Sequence, residues 1–345
     1  MIGVLVTGAG GGVGQGVIKS LKLIGDMDLH IIGGDMSPQA AGLYACDRAY
    51  IVEGCRSPTY VESLAKIFEA ETVDYYIPGT DIELAYCAEN KAMFAERFGV
   101  KVVACSPETV RIADDKQKTA DFLKANGLPH PASKSLAEAL KDDALEFPVI
   151  VKPAVGFRSI GVELAHNWAA LEAYDGDPDT TVVQEAVGDA ASEYTCTIVG
   201  AGGSLSPVLP LRRDLRSGDT YRAFPEESEV IEDYVTDVAS RLGIDGACNF
   251  QLRLDREGTP KIFEINSRFS GTTPFCAQLG FNPVEYYLKH DRGLTYTPDI
   301  QFDKCVLRYW SELVLNRADL ATLSDQGAIS PEAGGQFSLY GAPKP

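Results

Sequence analysis

The chain has 345 residues, 45% of them hydrophobic, and a formal net charge of -18. That length and apolar content allow two or three packed units with a sizeable core, while the acidic balance excludes a nucleic-acid partner, which needs a basic stripe to neutralise phosphates. No signal-type segment opens the chain and no apolar run is long enough to span a bilayer, so the expected location is the cytoplasm, with no membrane partner.

The eight cysteines are scattered without Cys-x-x-Cys spacing and the four histidines show no ligand spacing. They read as reduced, packed thiols and non-catalytic imidazoles. Residues 1 to about 110 alternate short apolar strands (3–7, 29–33, 49–52, 73–78 and 100–104) with helical patterns, which predicts a parallel, doubly wound unit. Its first strand runs into Gly8, Gly10 and Gly14, and the second ends at Asp35. This is a Rossmann-like turn, but the glycine spacing is looser than the strict dinucleotide fingerprint, and NAD(P) binding is one reading of it. The polar strand end Pro78-Gly79-Thr80-Asp81-Ile82-Glu83 is expected to face a cleft.

Residues 114–119 begin an amphipathic helix with Ala120, Phe122 and Leu123 inward, and Lys116 and Lys118 compete there as functional lysines or as plain solubility. Further on, a β-branched strand ends at Lys152-Pro153 and is followed by a loop with Gly156, Ser159 and Gly161. Glycines let backbone amides approach phosphate oxygens, and a strand-end lysine adds a point charge. Residues 180–187 form a short apolar strand with a polar end. Arg212, Arg213, Arg216 and Arg222 then cluster in what reads as a loop between a strand near 196–199 and a helix over 229–242. Either they clamp a carboxylate or phosphate, or they pair with Asp214 and Asp219 on the surface.

Residues 247–268 are the most informative. Alternation places Asn249, Gln251 and Arg253 on one side of a strand and Phe250, Leu252 and Leu254 on the other. A tight turn at Glu257-Gly258 would set Gln251 opposite Glu264, with Asn266 on the same face. One carboxylate and two amides beside an arginine suit a nucleotide-bound Mg²⁺, which takes its remaining oxygens from phosphate and water. A solvated hairpin face is the plain alternative.

The run Phe263-Glu264-Ile265-Asn266-Ser267-Arg268, preceded by Asn249-Phe250-Gln251, resembles the metal-binding segment of ATP-grasp enzymes, most closely the synthetase module of the carbamoyl phosphate synthetase large subunit. The resemblance implies Gln251, Glu264 and Asn266 as metal ligands, with Gln251 where many members have Glu, and Arg268 as the partner of the transferred phosphoryl group. It implies Lys116 and Lys152 on the nucleotide phosphates, and residues 154–161, with Gly156, Ser159 and Gly161, as a flexible flap. Glu185, Ala186 and Val187 would read the adenine edge, and Glu193 would accept from ribose. Arg213 and Arg222 are the candidate substrate arginines.

The implied architecture is α/β: a Rossmann-like pre-ATP-grasp domain over 1–110, and an ATP-grasp fold over 111–310 with a lid near 128–187 and a catalytic antiparallel sheet. A C-terminal extension follows over 311–345. The implied activity is an ATP- and Mg²⁺-dependent ligase, with Mn²⁺ as an alternative metal. It would activate a small carboxylate as an acyl phosphate and join it to an amine; a homodimer is left open. The alternatives are phosphorylation of bicarbonate or a small acid, as in carbamoyl phosphate synthesis, an NAD(P) oxidoreductase, or a nucleotide-binding regulatory subunit.

Overall fold

The computed structural model describes residues 1–156, 160–309 and 311–331. Strands β1 (Ile2–Thr7), β2 (Leu29–Asp35), β3 (Arg48–Ile51), β4 (Tyr75–Ile77) and β5 (Lys101–Val102) form a parallel sheet in the order β3-β2-β1-β4-β5. Val4, Leu5 and Val6 are all buried, as expected for a parallel strand covered on both faces. The helix Gly12–Lys22 follows β1 directly and buries Val17, Ile18 and Leu21. Gly8 has φ +59, and a Cβ at Gly14 would lie 2.2 Å from the Gly8 carbonyl oxygen, so both glycines are needed to let the helix start this close to the strand.

A second, antiparallel sheet comprises β6 (Ser133–Ser135), β7 (Val149–Pro153), β8 (Glu163–Ala165) and β9 (Thr181–Glu185), in the order β6-β9-β7-β8. It has its own small core of Leu136, Val149, Val151, Leu171 and Val183.

The third sheet is antiparallel and runs β15-β14-β10-β12-β13-β16, with β11 paired to β10. Its strands are β10 (Glu193–Ala201), β11 (Ser204–Leu205), β12 (Leu209–Arg216), β13 (Asp219–Pro225), β14 (Gly246–Leu254), β15 (Pro260–Asn266) and β16 (Val306–Leu307). The helix Glu229–Leu242 has the expected bounds and buries Ile231, Val235, Val238 and Leu242.

The arginine segment is not the expected loop. It is the hairpin β12–β13, turning at Ser217 (φ 51) and Gly218 (φ 81). Leu209, Leu211, Arg213 and Leu215 alternate along β12, but with Arg213 in the series the period-2 apolar signal breaks.

Strand β17 (Ala328–Ile329) returns to the first sheet and pairs antiparallel with β3. The first and third sheets share their cores: Leu5 and Tyr76 pack in one cluster with Phe250 and Ile262, and Val4 and Ile77 in another with Leu209 and Phe281. Among the described residues no helix is long and apolar enough to cross a membrane.

Phe250 is fully buried in that shared core. Phe250→Ala should cost about 3–5 kcal/mol, measured by urea unfolding of the whole chain. A cost below 1 kcal/mol would mean the two sheets are not joined there.

Candidate active site

A cleft of about 560 Å³ opens between the three sheets, large enough for a nucleotide-sized ligand. Its floor is the β14–β15 hairpin. Asn249 pairs with Asn266 and Gln251 with Glu264, in the register the sequence predicts, and a bulge after Gln251 then sets Leu252 opposite Ile262. All four polar side chains line the cleft. Asn266 Nδ2 donates to Glu264 Oε1 at 3.1 Å, and Asn249 Oδ1 accepts from the Thr195 hydroxyl at 2.8 Å.

Among the described residues no three His, Cys, Asp or Glu side chains cluster as a metal cage. Glu264, Gln251 and Asn266 offer only oxygens and a single negative charge. That donor set fits a hard divalent cation whose remaining ligands come from a polyphosphate and water.

Beside this ligand set, on the same face of the sheet, lies a largely buried ionic triad. Glu193, on β10, accepts from Arg213 Nε and Nη2 (3.0 and 2.7 Å) through Oε1, and from Arg253 Nε and Nη2 (2.9 and 2.7 Å) through Oε2. Glu193 is 5% exposed and Arg213 7%. Arg213 Nη2 also donates to Gln251 Oε1 at 2.8 Å. The expected ribose acceptor and one expected substrate arginine therefore bind each other, although both still line the cleft. Arg222 is not brought to the cleft. Its side chain is 52% exposed and lies 3.7 Å from Asp214, because its position on β13 points it away from the face that carries Arg213.

Both expected lysines line the cleft. Lys152, at the end of β7, is 4% exposed and donates to Gln184 Oε1 (2.8 Å) and the Phe263 carbonyl (3.3 Å). Burial lowers its pKa to about 7, against a smaller upward pull from Glu264. Lys116 opens the helix Lys116–Ala125, capped by Asp115, and donates to the Gly156 carbonyl at 3.1 Å. Its rival Lys118 points to solvent and pairs with Asp115.

Gly156, Glu185 and Val187 line the cleft; Ala186 and Gly161 do not, and Ser159 lies outside the described residues. Glu185 is held by Lys261 (3.0 Å) and by the Ala132 amide (3.0 Å).

The first sheet supplies the opposite wall through Gly11–Val13 and Gly79–Ile82. Arg268 reaches across and is held by Asp81 at 2.6 and 3.1 Å. Asp35 turns inward to accept from the Gly10 amide (2.8 Å), and a Cβ at Gly10 would meet Ala40 at 2.8 Å. The glycine turn is thus packed by its own chain on the side where a dinucleotide ribose would need Asp35. Thr195, Gln184, Ser270–Thr272 and Arg308 also line the cleft and were not singled out from sequence. Parity along β10 and β9 would have found Thr195 and Gln184, which share faces with Glu193 and Val182.

Residues 179–309 match the family model described as ATP-grasp in the biosynthetic pathway with Ter operon, and residues 4–103 the model described as PylC-like, N-terminal domain. The chain is 27% identical over 267 residues to the carbamoyl phosphate synthase large chain of Thermoplasma acidophilum, covering 69% of this chain and 24% of that protein. It thus spans about a quarter of that relative's length. N5-carboxyaminoimidazole ribonucleotide synthetase from Thermotoga maritima superposes with a TM-score of 0.67 at 21% identity, covering 87% of this chain and 79% of that one. N5-carboxyaminoimidazole synthetase from Staphylococcus aureus, solved with ADP, gives 0.67 at 13% identity, covering 87% and 80%. At these identities the structures establish a shared fold.

The lowered pKa of Lys152 has a definite sign. Between about 7 and the ordinary lysine value of 10.5 the unfolded chain holds a proton that the folded chain has shed. The penalty for burying the ammonium is therefore full below that window and fades as pH rises through it. A polyphosphate beside Lys152 would restore its charge. Calorimetry of Mg-ADP binding near pH 8, in buffers of different ionisation enthalpy, should show proton uptake on binding, and Lys152→Met should abolish it.

Proposed function

We propose that this ATP-grasp protein, which resembles the synthetase module of the carbamoyl phosphate synthetase large subunit, is an ATP- and Mg²⁺-dependent carboxylate ligase. In this reading it activates a small carboxylate as an acyl phosphate, joins it to an amine, and releases ADP and phosphate. The observation that carries the reading is the register of β14 against β15, which puts Gln251, Glu264 and Asn266 on one face beside Lys116, Lys152 and Arg268. The ADP complex of a protein of the same fold is consistent with a nucleotide in this cleft.

Glu264, Gln251 and Asn266 would hold Mg²⁺, or Mn²⁺ in its place, and the bound metal would supply charge neutralisation on the phosphates. Lys152 and Lys116 would grip the polyphosphate from the lid side; the flap expected over residues 154–161 includes residues 157–159, which lie outside the described residues. Arg268 would meet the migrating phosphoryl group. Glu185 and the backbone through Ala186 and Val187 would border the base. Catalysis would then consist of positioning and electrostatics, with no covalent nucleophile from the protein.

Arg213 takes a different role from a direct acid clamp. With its donors on Glu193 and Gln251, it orients the first metal ligand from beside it. The acid then occupies the part of the cleft between Arg268 and the wall at Gly11–Val13. A small acid with an amine acceptor is the reading adopted, and bicarbonate is the alternative that the carbamoyl phosphate synthase relatives favour. The proposed location is the cytoplasm.

Phosphate release from ATP-Mg, screened with pooled amino acids, small carboxylates and bicarbonate, tests the reading. Release that depends on one acid and one amine supports it, and release with bicarbonate alone selects the alternative. Strong thermal stabilisation by NADPH but none by ADP-Mg would overturn both.

Glu264→Gln keeps the shape but removes the only carboxylate of the ligand set, and turnover should fall by at least about tenfold, from the roughly 1.5–3 kcal/mol of a charge-assisted contact. Near-normal turnover at saturating Mg²⁺ would remove Glu264 from the metal site.

A further inference from the structure

Arg268 lies two residues beyond the end of β15 in the third sheet, but the group that fixes its direction, Asp81, opens the helix that follows β4 of the first. Asp81 Oδ1 and Oδ2 accept from its Nε and Nη2, Asn266 Oδ1 accepts from Nη2 at 3.0 Å, and the Phe269 carbonyl accepts from Nη1 at 3.1 Å. Four of the five N–H donors of this guanidinium are therefore engaged, and the residue lines the cleft with one Nη1 hydrogen outside these bonds.

Asp81 is itself held rigidly. It is the first residue of the helix Asp81–Glu89, whose cap is the Thr80 hydroxyl, which accepts from the Glu83 amide and donates to Glu83 Oε2 at 2.9 Å. The Glu83 carboxylate is buried and also accepts from Thr7 (3.0 Å) and from the Tyr60 hydroxyl (3.0 Å), which bonds in turn to Tyr76 at 2.5 Å. The turn is thus tied to two strands, through Thr7 and Tyr76, and to the helix that starts at Tyr60, by a buried network in which each hydrogen bond supports the next.

We propose that Asp81 is a positioning residue: from the Rossmann-like unit it aims the Arg268 guanidinium at the phosphoryl group in transit, so that transition-state stabilisation depends on contact between that unit and the end of β15. The inference rests on the nucleotide reading of the cleft given above. Bidentate pairing fixes the plane of the guanidinium as well as its place, and a donor aimed in advance loses no reorganisation energy when charge develops. Asp81 is part of the cleft wall, but both of its carboxylate oxygens are taken up by Arg268, so its removal should act through that guanidinium and spare ground-state binding of Mg-ADP.

The test compares the affinity of the full chain for Mg-ADP with its affinity for Mg-ADP plus aluminium fluoride, a mimic of the phosphoryl group in flight. Asp81→Asn should leave Mg-ADP binding within about twofold and weaken the aluminium fluoride complex about tenfold. Arg268→Ala should weaken that complex at least as much, and the double variant no further than Arg268→Ala alone. Asp81→Glu should recover part of the loss. Thr80→Ala keeps the carboxylate but loosens its turn, so it should show the same selective effect, smaller, and it carries the comparison if Asp81→Asn does not fold. Unchanged aluminium fluoride affinity in Asp81→Asn, or a loss that adds in full to that of Arg268→Ala, overturns the positioning role. A wild-type chain that binds no Mg-ADP overturns the nucleotide reading as well, which separates the two failures.

Discussion

The candidate site depends on one buried carboxylate. Glu193 holds Arg213 from β12 and Arg253 from β14, joining three adjacent strands on the face that lines the cleft. Its desolvation is offset only because each oxygen receives two charge-assisted bonds, and removing either arginine would leave charge stranded. Through Arg213 the same triad reaches Gln251, so the orientation of one proposed metal ligand is inherited from an ion pair that never meets the metal.

The cleft is far less acidic than the chain. A polypeptide with a net charge of -18 sets Lys116, Lys152, Arg213, Arg253, Arg268 and Arg308 against Asp81, Glu185, Glu193, Asp219 and Glu264 around one space. The cations are held in different ways: three guanidiniums by carboxylates, Lys116 by backbone carbonyls, and Lys152 by burial beside an amide and a carbonyl. Lys152 is poised to change its charge near neutrality, whereas the guanidiniums keep their protons at any physiological pH.

Local pattern made much of this legible in the sequence. The parallel sheet, the 229–242 helix and the Gln251–Glu264 register follow from period, apolar runs and a short turn. What escaped was long-range. Nothing local distinguishes Arg213 from Arg222, yet opposite parity on a hairpin sends one into a buried triad and the other to solvent. Lys116 and Lys118 were equivalent until the helix phase relative to Ala154 and Gly156 was known. The Asp81–Arg268 pair joins residues far apart in sequence, one opening a helix after β4 and the other just past β15, and no periodicity reports such a contact.

The edge of the first sheet is completed late. Strand β3 offers residues 49 and 50 to a partner that comes only with residues 328 and 329. During synthesis the Rossmann-like unit must therefore emerge, pair its parallel strands and wait with one backbone edge open while both other sheets are made. An open edge invites pairing with another chain. The Arg48 guanidinium, bonded to Glu71 and Tyr50 on this edge, also donates to the Ser330 hydroxyl just past β17, so the late strand is tied to the sheet by a side chain as well as by its backbone.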